Sequence, residues 1–296
     1  MTGVIRTVLG DIDPAELGVT DSHDHLFFAS KLLPGEELDE VEPARDVLLD
    51  FKAAGGSALV QWTPYGLGRR IGDLARLSRE TGVHIVAATG FHRAAHYAPE
   101  VVREVVDDLA RIFVDDLTGS TRAGLIKVAG AFHTLDDHAR TTLTAAAVAH
   151  QETGAPIAVH LEHGTAALEV AGLLCDTHEV PADRVILGHL NRNPDDALLR
   201  EIAARGTFLG FDGPSRANHA TDWRLPDCLE TLVGAGHGGQ ILLGGDTTTA
   251  TARHEPGASY LLTTLAPRLA KRLGEDAVTA MLVANPARAF ATSRPR

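Results

Sequence analysis

Two histidines one residue apart, His23 and His25, sit in Asp21-Ser22-His23-Asp24-His25 at the end of a short apolar run. In an extended strand, side chains two apart share a face, so both imidazoles aim at one point. Neutral imidazoles held that way suit a transition metal such as zinc. A His-x-His pair in a loop is equally a pair of solvated side chains, so the donors that come later in the chain decide the matter. Four residues qualify: Lys127, His160, His189 and Asp246. Each lies in or closes an apolar segment.

Taken singly, these four have bland readings. His160 in Ile157-Ala158-Val159-His160 and His189 in Ile186-Leu187-Gly188-His189 read as hydrogen-bonded core histidines, and Asp246 after Leu243-Gly244-Gly245 reads as a helix cap. Lys127 lies inside Gly124-Leu125-Ile126-Lys127-Val128-Ala129-Gly130, where an ammonium without a partner is costly to bury. Only four of the 27 basic residues are lysine, so arginine is the default cation of this chain. A desolvated lysine near metal charge has a lowered pKa and becomes a neutral, nucleophilic amine. Such an amine can take up carbon dioxide as a carbamate, whose two oxygens can bridge two metal ions. Together the residues supply four imidazoles, one carboxylate and one potential bridge, enough for two divalent ions in one mouth.

The elements that must bring these residues together alternate along the chain. Strands are expected at Gly18–Ser22, Ala58–Trp62, His84–Thr89, Gly124–Ala129, Pro156–His160, Arg184–His189, Thr207–Phe211 and Ile241–Asp246. Helices are expected at Pro43–Ala54, Ile71–Thr81, Pro99–Thr118, Asp136–Thr153, Gly164–His178, Pro194–Arg205, Arg224–Gly234 and Ser259–Gly274. Strict alternation implies a parallel sheet, and eight units in 296 residues make an α/β chain folded as one (β/α)8 TIM barrel behind an N-terminal cap of about 17 residues. An open doubly wound sheet would carry a glycine-rich phosphate turn after the first strand, where this chain has its histidines. In a barrel, the groups that do chemistry lie at the carboxyl ends of the strands, which is where each candidate falls.

Composition narrows the partners. A net charge of -12 repels nucleic acid and anionic lipid, and no apolar run reaches the length of a membrane span. The first residues lack an export signal and the two cysteines have no metal-type spacing, so a cytoplasmic protein acting on a small molecule is expected. Fifteen histidines exceed what folding calls for.

The order His-x-His, strand-four lysine, strand-five and strand-six histidines and strand-eight aspartate resembles the phosphotriesterase family of the amidohydrolase superfamily. The likeness covers nearly the whole chain, through Thr20-Asp21-Ser22-His23-Asp24-His25, Gly124-Leu125-Ile126-Lys127, Gly188-His189, Leu243-Gly244-Gly245-Asp246 and Asn285-Pro286-Ala287-Arg288. The resemblance implies a binuclear centre, with zinc the expected metal: one ion on His23, His25 and Asp246, the other on His160 and His189, bridged by carboxylated Lys127 and a hydroxide. It also implies a homodimer. In such a centre the ions acidify the bridging water and polarise the scissile bond, while Asp246 takes the proton as catalytic base.

Substrate specificity is expected on the loops after strands three, seven and eight, with Tyr97, Arg216, Asn218 and Arg253 as candidate contacts and Arg93, His219, Thr247 and His254 nearby. The runs Asn191-Arg192-Asn193-Pro194-Asp195 and Phe211-Asp212-Gly213 are similar to lactone-hydrolysing branches of the family, including those acting on phosphorylated sugar lactones. Those branches carry basic or aromatic groups after the eighth-strand aspartate, where this chain has Thr247-Thr248-Thr249. A lactone or other ester is the expected substrate; a phosphoester or phosphotriester, and a non-catalytic binding barrel, are the alternatives.

Overall fold

Runs of aliphatic and β-branched residues bounded by glycine, proline or polar turns become strands here, and the computed structural model describes them over residues 3–212 and 220–292. Two short strands, β1 (Ile5–Thr7) and β2 (Gly10–Ile12), pair antiparallel as a hairpin. Eight more follow: β3 (Thr20–Asp24), β4 (Ala58–Gln61), β5 (His84–Thr89), β6 (Leu125–Ala129), β7 (Ile157–His160), β8 (Val185–Leu187), β9 (Phe208–Asp212) and β10 (Ile241–Gly244). They form one parallel sheet in sequence order. Beyond the last strand, the Gly245 and Asp246 N–H groups donate to His23 O at 2.9 and 2.8 Å, which joins β10 to β3 and curls the sheet into a barrel.

Helices α1 (Val41–Ala53), α2 (Ile71–Thr81), α3 (Pro99–Val105), α4 (Leu109–Thr118), α5 (Asp137–Thr153), α6 (Ala167–Ala171), α7 (Asp196–Ala204) and α8 (Leu225–Gly234) occupy the crossovers. After β10 come α9 (Ala250–His254), α10 (Ala266–Leu273), α11 (Glu275–Thr279) and α12 (Asn285–Ala289). Among the described residues, no helix is long and apolar enough to cross a membrane.

The two-residue period of the strands divides the core. Val60, Trp62, Val86, Ala88, Leu125, Ala158, Ile186, Phe208 and Leu242 pack with one another inside the barrel, and Ile5, Leu17 and Phe290 join them. Their strand neighbours, such as Ile126, Val128, Ile157, Val159, Leu187, Leu209, Phe211 and Leu243, pack outward against the helices. Lys127, His160, Asp212 and Asp246 therefore fall on interior positions, two or four residues beyond Leu125, Ala158, Phe208 and Leu242. Room for the Trp62 ring comes from glycine: a Cβ on Gly188 would lie 3.1 Å from that ring.

Several boundaries differ from expectation for local reasons. The first barrel strand starts at Thr20 because Gly18 turns at φ 70, with Ser57 packed where a Cβ would sit. The sixth is shorter than expected because Arg184 belongs to a 3-10 turn and His189 leaves the strand at φ 63. The single helix expected over Pro99–Thr118 breaks around Val106–Asp108 into α3 and α4. Regular α-helix in the Gly164–His178 segment is confined to α6, and Gly172–Thr177 winds more widely. Likewise Leu261–Leu265 forms a wide turn ahead of α10. The N-terminal cap contains the β1–β2 hairpin, whose turn residue Val8 donates from its N–H to Ile85 O of β5 at 2.9 Å.

Candidate active site

At the carboxyl end of the barrel, four imidazoles turn one nitrogen inward and hand the other to an acceptor. The Thr63 hydroxyl donates to Phe27 O at 2.6 Å, so its oxygen accepts from His25 Nδ1 at 2.7 Å. The proton is thereby held on Nδ1, leaving Nε2 of His25 with a free lone pair. Asp212 does the same for two rings at once: Oδ1 takes His23 Nδ1 at 2.8 Å and Oδ2 takes His189 Nδ1. Glu162 Oε2 accepts from His160 Nε2 at 2.9 Å, which leaves Nδ1 of His160 bare. Carboxylates and hydroxyls placed behind imidazoles in this way fix tautomer and ring orientation for a metal in front.

The inner nitrogens converge in two groups. His23 Nε2 and His25 Nε2 lie 3.3 and 3.7 Å from Asp246 Oδ1. His160 Nδ1 and His189 Nε2 lie 2.7 Å apart. A second constellation of the right spacing, His23, His189 and Asp212, also exists. There the carboxylate oxygens already accept the ring N–H groups, so Asp212 orients ligands and is not one itself. His23 is further fixed by Trp62, whose ring stacks on it at 3.7 Å and whose Nε1 donates to Ser22 O at 2.8 Å.

Electrostatics fit a cation site. Burial pushes His25 down to about 4, and burial with neighbouring positive charge holds His160 well below its ordinary value, so these rings are neutral donors at pH 7. Asp246 and Asp212 are buried, which alone would raise them, yet the surrounding His189, His23 and, for Asp246, Arg192 keep both well below the usual carboxylate range. Burial brings Lys127 down to about 7, with Asp246 pulling the other way. The side chain is therefore poised between ammonium and neutral amine. His189 and Asp246 also hold left-handed backbone, at φ 63 and φ 52. Strained positions of this kind concentrate where a side chain must be aimed, and strand parity alone would turn His189 outward beside Leu187.

The structure thus brings His23, His25, Lys127, His160, His189 and Asp246 to the interior carboxyl end of the barrel. The loop candidates are placed as follows. The Tyr97 hydroxyl donates to Tyr65 O at 3.0 Å and accepts from His92 N at 2.9 Å, and its ring stacks on Phe91 at 4.0 Å. Arg253 is buried and donates through Nη2 to Leu26 O. Both side chains are buried and held by these contacts. Arg216, Asn218 and His219 lie outside the described residues. Arg93 pairs with Glu162 at 2.5 Å, and the Thr247 N–H donates to Asp24 Oδ1 at 2.8 Å.

Five contributors were given no role from sequence, namely Asp212, Glu162, Thr63, Trp62 and Arg192, although Asp212 and Arg192 lie in the two runs similar to lactone-hydrolysing branches. The first carried a usable signal, since it follows the interior residues Phe208 and Gly210 at the end of a strand, as Asp246 follows Leu242 and Gly244.

The sequence pattern of the Phosphotriesterase family matches residues 3–290. A phospho-furanose lactonase of Mycoplasmopsis synoviae is 30% identical, the match covering 98% of this chain and 92% of that protein. An N-acetyltaurine hydrolase of Salmo salar is 26% identical, covering 97% of this chain and 98% of that one. The crystal structure of a lactonase from Listeria monocytogenes superposes with a TM-score of 0.90 at 30% identity, over 98% of this chain and 100% of the other.

Proposed function

The chain belongs to the phosphotriesterase family, and from that premise we propose that it is a metal-dependent hydrolase that opens a lactone or a related ester. The observation that carries the proposal is the tautomer pattern: four imidazoles, three buried and that of His160 partly buried, each with its outer nitrogen satisfied and its inner lone pair aimed into the mouth. His23, His25 and Asp246 would hold one divalent ion, His160 and His189 the other, with Lys127 as a carbamate between them; zinc suits the nitrogen-rich donor set. When bound, such ions supply a hydroxide near neutral pH and polarise the carbonyl under attack.

The chain's own residues do the rest. Asp212, Glu162 and Thr63 keep each imidazole in one tautomer, so no ring has to reorient during turnover. Asp246 is kept ionised by its neighbours and so can accept the proton of the attacking water on a carboxylate oxygen and pass it to the leaving alkoxide. Lys127 at about 7 is reactive toward carbon dioxide without being permanently charged. Tyr97 and Arg253 shape the mouth, and substrate contacts are proposed for Arg216 and Asn218, which follow β9 in sequence. Two free cysteines fit a cytoplasmic setting, and the family resemblance makes a homodimer the expected assembly.

A panel assay of the metal-replete protein tests the reading with lactones, phosphorylated lactones, open-chain esters, an N-acyl amide and a paraoxon-like triester. The best lactone should exceed the triester in kcat/KM by at least about a hundredfold, roughly 2.7 kcal/mol of transition-state discrimination. Equal or better rates on the triester would move the assignment to phosphoester chemistry. A lead for the N-acyl amide would move it to amide hydrolysis.

A further inference from the structure

Arg192 closes the short turn Leu190–Arg192 that follows β8, three residues past His189. Its side chain is 12% exposed, its Nη2 donates to Asp246 Oδ2 at 2.5 Å, and it stands 3.9 Å from Asp212 Oδ2. The opposite oxygen of Asp246, Oδ1, faces His23 Nε2 and His25 Nε2. The terminal torsion of an aspartate is broad and two-fold, so the backbone does not decide which oxygen points where. The partner on the far oxygen does.

We infer that Arg192 is a positioning residue: by occupying Oδ2 of Asp246 it holds the carboxylate in one orientation, so that Oδ1 alone is presented to an ion at His23 and His25. Two alternative roles fit the geometry less well. A substrate-anion receptor needs a guanidinium open to the mouth, whereas this one lies between two carboxylates with Nε buried and unpartnered among the described residues. A competing cation that must leave before metal enters would sit on the oxygen that faces the imidazoles, and Arg192 sits on the other. The turn that carries Arg192 begins at the left-handed His189, so one backbone feature aims both a candidate ligand and the residue that orients another. The planar fork of arginine matters, because a lysine ammonium supplies charge at a point without fixing the plane of its partner.

This inference rests on the metal reading above, and its test separates the two. Zinc affinity is measured by chelator competition on the full-length protein and on Arg192→Met and Arg192→Lys, together with the visible spectrum of the cobalt-substituted forms. Arg192→Met should weaken one of the two zinc sites by about 10- to 100-fold, the usual effect of losing an outer partner of a ligand, and alter the cobalt spectrum. Arg192→Lys should fall between it and the parent. Unchanged affinity and spectrum in both variants, or tighter zinc binding in Arg192→Met, overturns the inference. Parent protein that binds no zinc overturns the metal reading itself, a different result. Should Arg192→Met fail to fold, Arg192→Lys decides: weakened affinity with an altered spectrum supports the role, and parental behaviour refutes it.

Discussion

His160 Nδ1 and His189 Nε2 face each other across 2.7 Å, and each ring gives its other nitrogen to a buried or half-buried carboxylate, Glu162 and Asp212. With both outer nitrogens carrying the proton, the two inner lone pairs point at one another. That arrangement repels unless a cation in front of them binds both nitrogens, which is why the pair reads as half of a metal site and not as a core hydrogen bond.

Removing one member of this pair should cost one ion and not two. His189→Ala is expected to fold, to bind about one zinc equivalent fewer than the parent by elemental analysis, and to lose most hydrolysis. Unchanged stoichiometry would show that the pair is a structural contact.

Asp212 orients His23 and His189 together, so its loss should reach both ion positions. Asp212→Asn presents an amide N–H toward one of two ring N–H groups and can satisfy only the other. A loss of about 10- to 100-fold in zinc affinity is expected at near-parental thermal stability in the zinc-loaded state. Chelator competition reads it, and a variant with parental affinity would remove the orienting role.

The barrel was legible because strands buried on both faces are apolar runs, and because Lys127, His160 and Asp246 each keep the parity of the interior residues beneath them. Other features lay outside what local pattern can carry. The stripe Val105, Leu109, Phe113 and Leu117 continues at four-residue intervals through the break between α3 and α4, so periodicity could not reveal the break. Asp212 followed by Gly-Pro reads as a turn, and its role exists only through contacts 189 and 23 residues away in sequence. Arg192 reads as a solvated loop charge until His189 turns left-handed and carries it inward.

Lys127 ties metal loading to pH. Its amine is brought from the usual 10.5 down to about 7 by burial, so it is mostly ammonium at pH 6 and mostly neutral at pH 8. Only the neutral amine reacts with carbon dioxide. Reconstitution of metal-free protein with zinc and bicarbonate should therefore be several-fold faster at pH 8 than at pH 6. Lys127→Ala should not reconstitute, and a short carboxylic acid should restore part of its metal content by standing in for the carbamate. Loading that is independent of both pH and bicarbonate would exclude carboxylation.

Glu162 gives a stability signature at acid pH. The hydrogen bond from His160, with the charge of Arg93, holds its carboxyl down to about 2 from the ordinary 4.5, against an opposing push from burial. A lowered folded-state pKa contributes stability that is fully present above about 4.5 and is lost as pH falls toward 2. The metal-free parent should thus lose Tm between pH 5 and pH 2 more steeply than Glu162→Gln, by a modest amount because the carboxylate is partly solvated. Parallel curves would mean that the pair contributes nothing measurable.

Asp246→Asn isolates proton transfer from coordination. Asparagine tolerates the left-handed backbone at this position, φ 52, as few side chains do, so the loop should keep its course. The Arg192 guanidinium favours the amide oxygen on its own side, so excess zinc is needed to draw that oxygen toward His23 and His25, and neither of its atoms can accept the proton that a carboxylate takes. With zinc in excess, so that weakened coordination is not the cause, kcat on the best lactone should fall by about two to four orders of magnitude, the usual worth of a general base, while KM changes little. Circular dichroism and zinc stoichiometry close to the parent would confine the loss to chemistry. A fully loaded Asp246→Asn enzyme with parental kcat would move the base elsewhere in the mouth.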